Sequence, residues 1–213
     1  MASTRQLKSR IRSVKSNKQI TKAMELVAAS KLRHAQDATK ASHPYADAAR
    51  ELLTQLGQLT DVKRTPFFEQ RQLKHRLVIL ITSDRGLAGA FNSNAIKQFV
   101  HVLQQDEKAG IKTKVLCVGK KGAQFAARIK DVEIVGAYHG LPDKLSAADM
   151  RPILVNAVDK FIDDEVQAVD IVTTRFVNSF IQTAERLELL PATFEATEVS
   201  RDIQLSTFEP NVE

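Results

Sequence analysis

Between Ser3 and about Leu59 the chain carries no glycine except Gly57 and no proline except Pro44. Apolar side chains recur at Leu7, Ile11 and Val14, then at Ile20, Met24 and Val27. They continue through Leu32, Ala35, Ala38, Tyr45, Ala49, Leu52, Leu56 and Leu59. Steps of three and four dominate, which predicts one long helix that either Ser3 or Thr4 is placed to cap. Pro44 removes one backbone donor, so a kink or short interruption is expected there, with His43 pushed toward an extended conformation. At about 1.5 Å per residue such a helix reaches roughly 80 Å, too long for a compact domain of this size to cover. The alanines at 23, 28, 29, 35, 38 and 41 allow a close second axis, so the pattern implies a paired helix in a left-handed coiled coil.

Past residue 60 the rhythm changes. Residues 61–75 are polar, contain Pro66 and read as a linker. Residues 77–82 (LVILIT) form a short apolar, partly β-branched run typical of a buried strand. Helical spacing follows over 92–108, closing near Gly110, then a strand at 114–118 and a short helix at 120–129. A third strand is expected at 132–135, a helix at 146–165 opened by Ser146 with Asp149 three residues on, and a fourth strand at 169–177. Strands alternating with helices call for a mostly parallel sheet covered on both faces. Residues 193–213 read as polar and β-like. The expected fold is therefore α/β: a long N-terminal helix (1–60), a linker (61–75) and a mostly parallel α/β domain (76–213).

Charge sharpens the picture of the helix. Residues 1–40 hold ten lysines and arginines against Glu25 and Asp37 only, a local +8. The whole chain is +6, which leaves −2 on the remainder. A basic arm on a slightly acidic body suits nucleic acid, an anionic membrane surface or an acidic protein, or is simply a solvated face. Only Tyr45 is aromatic in the first 60 residues, which gives base stacking little support. Met1–Met24 is rich in Arg, Lys and Ser and has no acid, a composition shared with organellar transit peptides. No apolar run approaches the ~18–20 residues of a membrane span. Cys117 is the only cysteine, so no internal disulfide forms; together with the lack of a visible secretory signal this points to a reducing compartment.

Catalytic patterns are missing from the sequence. The turn after the first strand, Ser83–Gly89, has its glycines spaced G-x-x-G rather than in the dinucleotide fingerprint. In Gly119-Lys120-Lys121-Gly122 no Ser or Thr follows the lysine, so the phosphate-loop pattern fails too. The five histidines are scattered without metal-ligand spacing, and Cys117 inside a strand reads as a buried, inert thiol. Asp84 is a conceivable general base but better suited to capping its turn or pairing with Arg85. No catalytic, cofactor or metal site is expected.

Two stretches carry a resemblance. Ile20–Leu32 (ITKAMELVAASKL) resembles the N-terminal signature of the F-type ATP synthase γ subunit, and Ser83–Asn94 (SDRGLAGAFNSN) is similar to that family's second signature. Their order and spacing, and the helix-then-α/β layout, agree over nearly the whole chain. The resemblance implies a non-catalytic central-stalk rotor, coupling ion flow through the membrane c-ring to ATP synthesis or hydrolysis at the α/β ring. It implies α, β, ε (δ in mitochondria) and c subunits as partners, no nucleic acid, and membrane association only through the c-ring. The location implied is peripheral, on the cytoplasmic or matrix side of a bacterial plasma or mitochondrial inner membrane. By the same resemblance Lys22, Met24, Val27, Arg85 and Ala88 face the α/β ring, and Phe194, Asp202 and Phe208 face ε and the c-ring. Family members often carry Cys where this chain has Ala88. They also continue beyond Glu213 into a long C-terminal helix, which implies a truncated form or an incomplete record. The cysteine pair of the chloroplast type is missing. A basic-helix nucleic-acid-binding protein is the alternative reading.

Overall fold

The computed structural model describes residues 3–56, 65–178 and 180–192, excepting the side chains of residues 50 and 54–56. By its internal contacts the chain divides into two compact units, Met1–Arg50 and Glu51–Glu213. Helix α1, Thr4–Leu56, supplies the described part of the first unit and runs for 53 residues. Ser3 stands just before its start, where the Gln6 side chain reaches back to accept the Ser3 N–H at 3.1 Å and the Ser3 carbonyl accepts from the Leu7 N–H.

The short interruption expected as one outcome at Pro44 does not occur. Pro44 lies inside the helix, and His43 is helical rather than extended. Proline's missing N–H orphans one carbonyl, that of Lys40, and Lys40 is exposed, so water can satisfy it. One lost bond in a helix this long, flanked by alanine-rich turns, is too small a penalty to end it. Nearby Thr39 and Ser42 hydroxyls turn back onto the carbonyls of Ala35 and Thr39 at 2.9 Å each.

Counted in sevens, Leu7, Val14, Thr21, Ala28, Ala35, Ser42 and Ala49 share one helix position, and Arg10, Asn17, Met24, Lys31, Ala38, Tyr45 and Leu52 share the other, polar over its first two repeats. That is an a/d seam with small residues in its middle, and a strict seven-residue repeat imposes a left-handed supercoil on paired helices. Among its large apolar members, Leu7, Val14, Met24, Tyr45 and Leu52 are all exposed.

The second unit is a five-stranded sheet. Strands β1 (His75–Ile81), β2 (Lys112–Val118), β3 (Glu133–Tyr138), β4 (Ala168–Phe176) and β5 (Gln182–Leu190) stand in the order β3-β2-β1-β4-β5. The first four run parallel and β5 is antiparallel to β4. Helices α2 (Phe91–Ala109), α3 (Lys120–Ala126) and α4 (Ala147–Ile162) make the crossovers. Alternate residues of β1 feed two cores: Leu77 and Ile79 pack with Ile153, Ala157 and Phe161 of α4, while Val78 and Leu80 pack with Ala95, Phe99 and Val102 of α2. Burial on both faces is why LVIL reads as an unbroken apolar run. Gly110 closes α2 in the left-handed region at φ 72°, and Ser146 and Asp149 form the reciprocal capping box of α4.

Strand β5 was not expected. Its sequence, QTAERLELL, is rich in good helix formers and shows no clean alternation. Pairing with the preceding strand overrides that local preference. The β4–β5 ladder extends from Val169↔Leu190 to Phe176↔Gln182.

Arg76 opens the fold's one extended buried charge network among the described residues, a feature the sequence did not announce. Its Nε lies 3.0 Å from both carboxylate oxygens of Asp106, and its Nη1 donates to Asp170. Arg186 Nε reaches the same Asp170 oxygen at 2.9 Å, and Thr113 Oγ1 donates to Asp106 at 2.8 Å. Four strands and a helix are thereby tied around one guanidinium. Burial opposes the Arg76 charge, but Asp170 and Asp106 outweigh it and hold its pKa above the ordinary value. Replacing Arg76 with Met leaves buried Asp106 without a cationic partner and Asp170 with Arg186 alone, and urea denaturation is expected to show a loss of about 3 kcal/mol. A loss below about 1 kcal/mol would show that the network is not a structural tie.

Candidate functional site: the seam of the first helix and the turn after the first strand

The sequence-predicted contact residues fall on two surfaces, one in each unit. On α1, Met24 and Val27 are exposed apolar side chains one turn apart. Lys22, 64% exposed, is held by Glu25 through contacts of 3.0 and 3.1 Å. An exposed i,i+3 pair is worth only a few tenths of a kcal/mol. Its effect is to fix where the ammonium stands in a helix segment otherwise almost without acid. Ile20, Met24 and Val27 form an apolar strip on one face of the helix, and Lys22 projects from the opposite face, so this stretch offers hydrocarbon on one side and a cation on the other.

The second surface is the turn that follows β1. It stands at the carboxyl end of the sheet, where the chain order reverses between β1 and β4. Asn92, at the start of α2, accepts the Ser83 N–H at 2.9 Å and donates to Ser83 Oγ at 2.8 Å. Ser83 Oγ in turn donates to the Arg85 carbonyl at 2.6 Å. Asp84 reaches the other way, accepting the N–H of Lys120 at 2.9 Å and that of Gly140 at 2.7 Å. Three strand ends are thus gathered by one side chain. Those backbone N–H groups, Gly140 first and Lys120 second, hold the Asp84 carboxyl below the usual carboxylate range.

Chain packing beneath the turn is equally tight. Thr82 Oγ1 accepts the Gly122 N–H at 2.8 Å and donates to the Val118 carbonyl at 3.2 Å. A Cβ on Gly119 would lie 2.1 Å from the Thr82 carbonyl oxygen, and Gly119 has φ 98°, so only glycine fits. The Gly119-Lys120-Lys121-Gly122 stretch therefore serves close packing of α3 on β1. The Lys120 N–H that opens α3 already has an anionic partner, the carboxylate of Asp84.

Arg85 and Ala88 are both exposed on the tip of this turn. Between them Leu87 adopts φ 63° and is 91% exposed. The left-handed region costs a leucine roughly 1–2 kcal/mol. Phe194, Asp202 and Phe208 lie outside the described residues. Cys117 is buried, and burial pushes its thiol up to about 11, which suppresses the nucleophilic thiolate. Among the described residues no three His, Cys, Asp or Glu side chains converge as metal ligands. Nor is any helix there long and apolar enough to cross a membrane. Sequence reasoning missed Lys120, Gly140 and Leu87 as parts of this surface. The G-K-K-G spacing was the available signal for the first, and nothing in the sequence marks the other two.

Comparison with known proteins decides the lineage. A family model described as "ATP synthase" matches residues 3–213. The ATP synthase gamma chain of Opitutus terrae is 39% identical over 191 residues, covering 90% of this chain and 62% of that protein. Those of Acidithiobacillus ferrooxidans and Xanthomonas oryzae pv. oryzae are 35% and 36% identical, with 66% and 67% of their lengths covered. The chain belongs to the ATP synthase gamma chain family. It spans about two thirds of the length of the gamma chains it matches.

Solved structures agree with the gamma-chain fold. A chain in the central stalk and c-ring structure of the Tetrahymena thermophila mitochondrial ATP synthase aligns with TM-score 0.59 at 24% identity, covering 81% of this chain and 72% of that one. One from the Euglena gracilis mitochondrial ATP synthase rotor aligns with TM-score 0.53 at 16% identity, covering 86% and 61%. At these identities the likeness is one of fold: a long first helix and a mostly parallel sheet.

The Asp84 clamp has a pH signature. A carboxyl held below its ordinary value in the folded state stabilises the fold fully above the unfolded pKa of about 3.9 and loses that contribution as pH falls through the folded value. Asp84→Asn removes one acceptor and the charge. Urea titrations at pH 7 are expected to show it less stable by about 1 kcal/mol, the low end for a charged hydrogen bond because the carboxylate is solvent-accessible. The gap between the two proteins should begin to narrow below about pH 4, as the unfolded carboxyl protonates, and close as pH falls through the lower folded value. A gap that stays constant down to about pH 2 contradicts the clamp.

Proposed function

We propose that this chain acts as the central-stalk rotor subunit of an F-type, proton-translocating ATP synthase. In that reading it couples ion flow through a c-ring to ATP synthesis or hydrolysis at a surrounding ring of α and β subunits, and is itself non-catalytic. The observation that carries the reading is the exposed a/d seam of α1, with its small-residue middle and its net-positive flanks. A shaft needs an apolar seam for a companion helix and cations that can trade carboxylate partners as it turns. Membership of the gamma chain family, and the central-stalk and rotor assemblies to which its structural neighbours belong, support the same assignment.

On this reading Lys22, Met24 and Val27 meet the ring from the helix, and Arg85 and Ala88 meet it from the clamped turn. Phe194, Asp202 and Phe208 are assigned to ε and the c-ring by resemblance. The location proposed is peripheral, on the cytoplasmic or matrix side of an energy-transducing membrane, with the c-ring as the membrane link. The electrostatic part of the contact weakens with ionic strength, whereas the apolar seam does not.

The test is co-elution of the purified chain with an α/β ring prepared without its own stalk, together with an ATPase assay of each part. The chain alone is expected to hydrolyse no ATP and to migrate with the ring. A chain that ignores the ring yet binds duplex DNA with a steep salt dependence would overturn the proposal in favour of a basic-helix nucleic-acid protein.

A further inference from the structure

Leu87 is costly in two ways that the fold itself does not repay. Three non-glycine residues among those described have positive φ, and two of them, Asp131 and Asp164, are of a type that tolerates it. Leu87 is not, and at φ 63° its Cβ crowds its own carbonyl. Glycine would relieve this at no packing cost, since 91% of Leu87 faces solvent. Neither neighbouring glycine explains the choice: a Cβ at Gly86 or Gly89 would meet nothing within 4 Å, so the turn is open on both sides. A strained side chain that packs on nothing in its own chain points to a use outside it.

The mounting of the turn supports that conclusion. Its base is pinned by the Ser83–Asn92 pair and by Asp84 on Lys120 and Gly140, so the tip is presented in one geometry. Preorganisation of this kind lowers the ordering cost of binding. The surroundings are cationic. Arg85 precedes the tip and is exposed; exposed Lys120 is drawn to the same place through the contact of its N–H with Asp84. The one carboxylate at the base, Asp84, already faces two backbone N–H groups.

We propose that Leu87 is an apolar anchor that enters a hydrophobic pocket rimmed by carboxylates on a ring subunit, with Arg85 and Lys120 pairing to that rim. The inference rests on the rotor reading and adds to it the residue that contributes most affinity at this turn. A central apolar anchor ringed by charge is how contact energy concentrates at protein interfaces. The charges then govern the encounter and its salt dependence, and the leucine governs the lifetime of the contact.

Three variants separate these roles: Leu87→Gly, Leu87→Asn and Arg85→Gln. Each is titrated against the stalk-free α/β ring at low and high salt, and its stability is followed in urea. Leu87→Gly and Leu87→Asn relieve the backbone, so their urea midpoints should equal or exceed that of the wild type. Their affinity for the ring should fall about 10- to 100-fold at both salt concentrations, the worth of burying one leucine. Arg85→Gln should weaken binding mainly at low salt. If Arg85→Gln weakens binding while both Leu87 variants bind within about twofold of wild type, the anchor is wrong and the rotor reading stands. If the wild-type chain itself does not bind the ring, the rotor reading falls and takes the anchor with it.

Discussion

A single α-helix cannot bury its own apolar stripe. In α1 the seam that begins at Leu7 and Val14 continues through Met24, Tyr45 and Leu52, with alanines and Ser42 between, and its large members lie exposed. Helix formation here owes much to local preference, because alanine, lysine, leucine and arginine are frequent and glycine is missing before residue 57. The seam contributes to stability only once something covers it. The proposed role of this chain follows from that requirement. The basic residues flanking the seam add the second condition, that the surroundings of the helix offer carboxylates.

The α/β unit solves the opposite problem. Its sheet is buried on both faces, its strand residues alternate between two cores, and Arg76, Asp106, Asp170 and Arg186 lock the strands together. On that rigid base the turn after β1 is held by Asp84 and by the Ser83–Asn92 pair. Doubly wound sheets commonly bind a phosphate in this crevice. Here Asp84 takes the Lys120 N–H that begins α3, so the chain supplies its own anion. The outcome is a pinned turn whose exposed tip carries Arg85, Leu87 and Ala88.

Much of this was legible in the sequence, for reasons that can be named. The long helix, the four parallel strands and the capping of α4 announce themselves through periodicity and the S-x-x-D signal. The two signature stretches, read by resemblance, gave the family. Pro44 misled because the helix runs on through it, with the one orphaned carbonyl on an exposed residue that water can satisfy. Strand β5 was invisible because QTAERLELL prefers helix, and only pairing with β4 reverses that. The Arg76 network was hidden because a charge at a strand start looks like a linker residue until its partners, 30 and 94 positions away, are in place. Leu87 escaped notice because its peculiarity is a dihedral angle, which no spacing reveals. The placement of contact residues on the ring, ε and c-ring sides comes from the resemblance, and Phe194, Asp202 and Phe208 lie outside the described residues.

The central claim is that the seam of α1 is a buried surface in the working assembly. Hydrogen–deuterium exchange along residues 4–56, measured for the chain alone and with the stalk-free α/β ring, tests it most directly. The account predicts rapid exchange in the free chain and marked slowing when the ring is added, strongest from Thr21 to Ala38 where the small residues of the seam meet the first signature. Exchange along this stretch that stays unchanged while the ring is bound would contradict it.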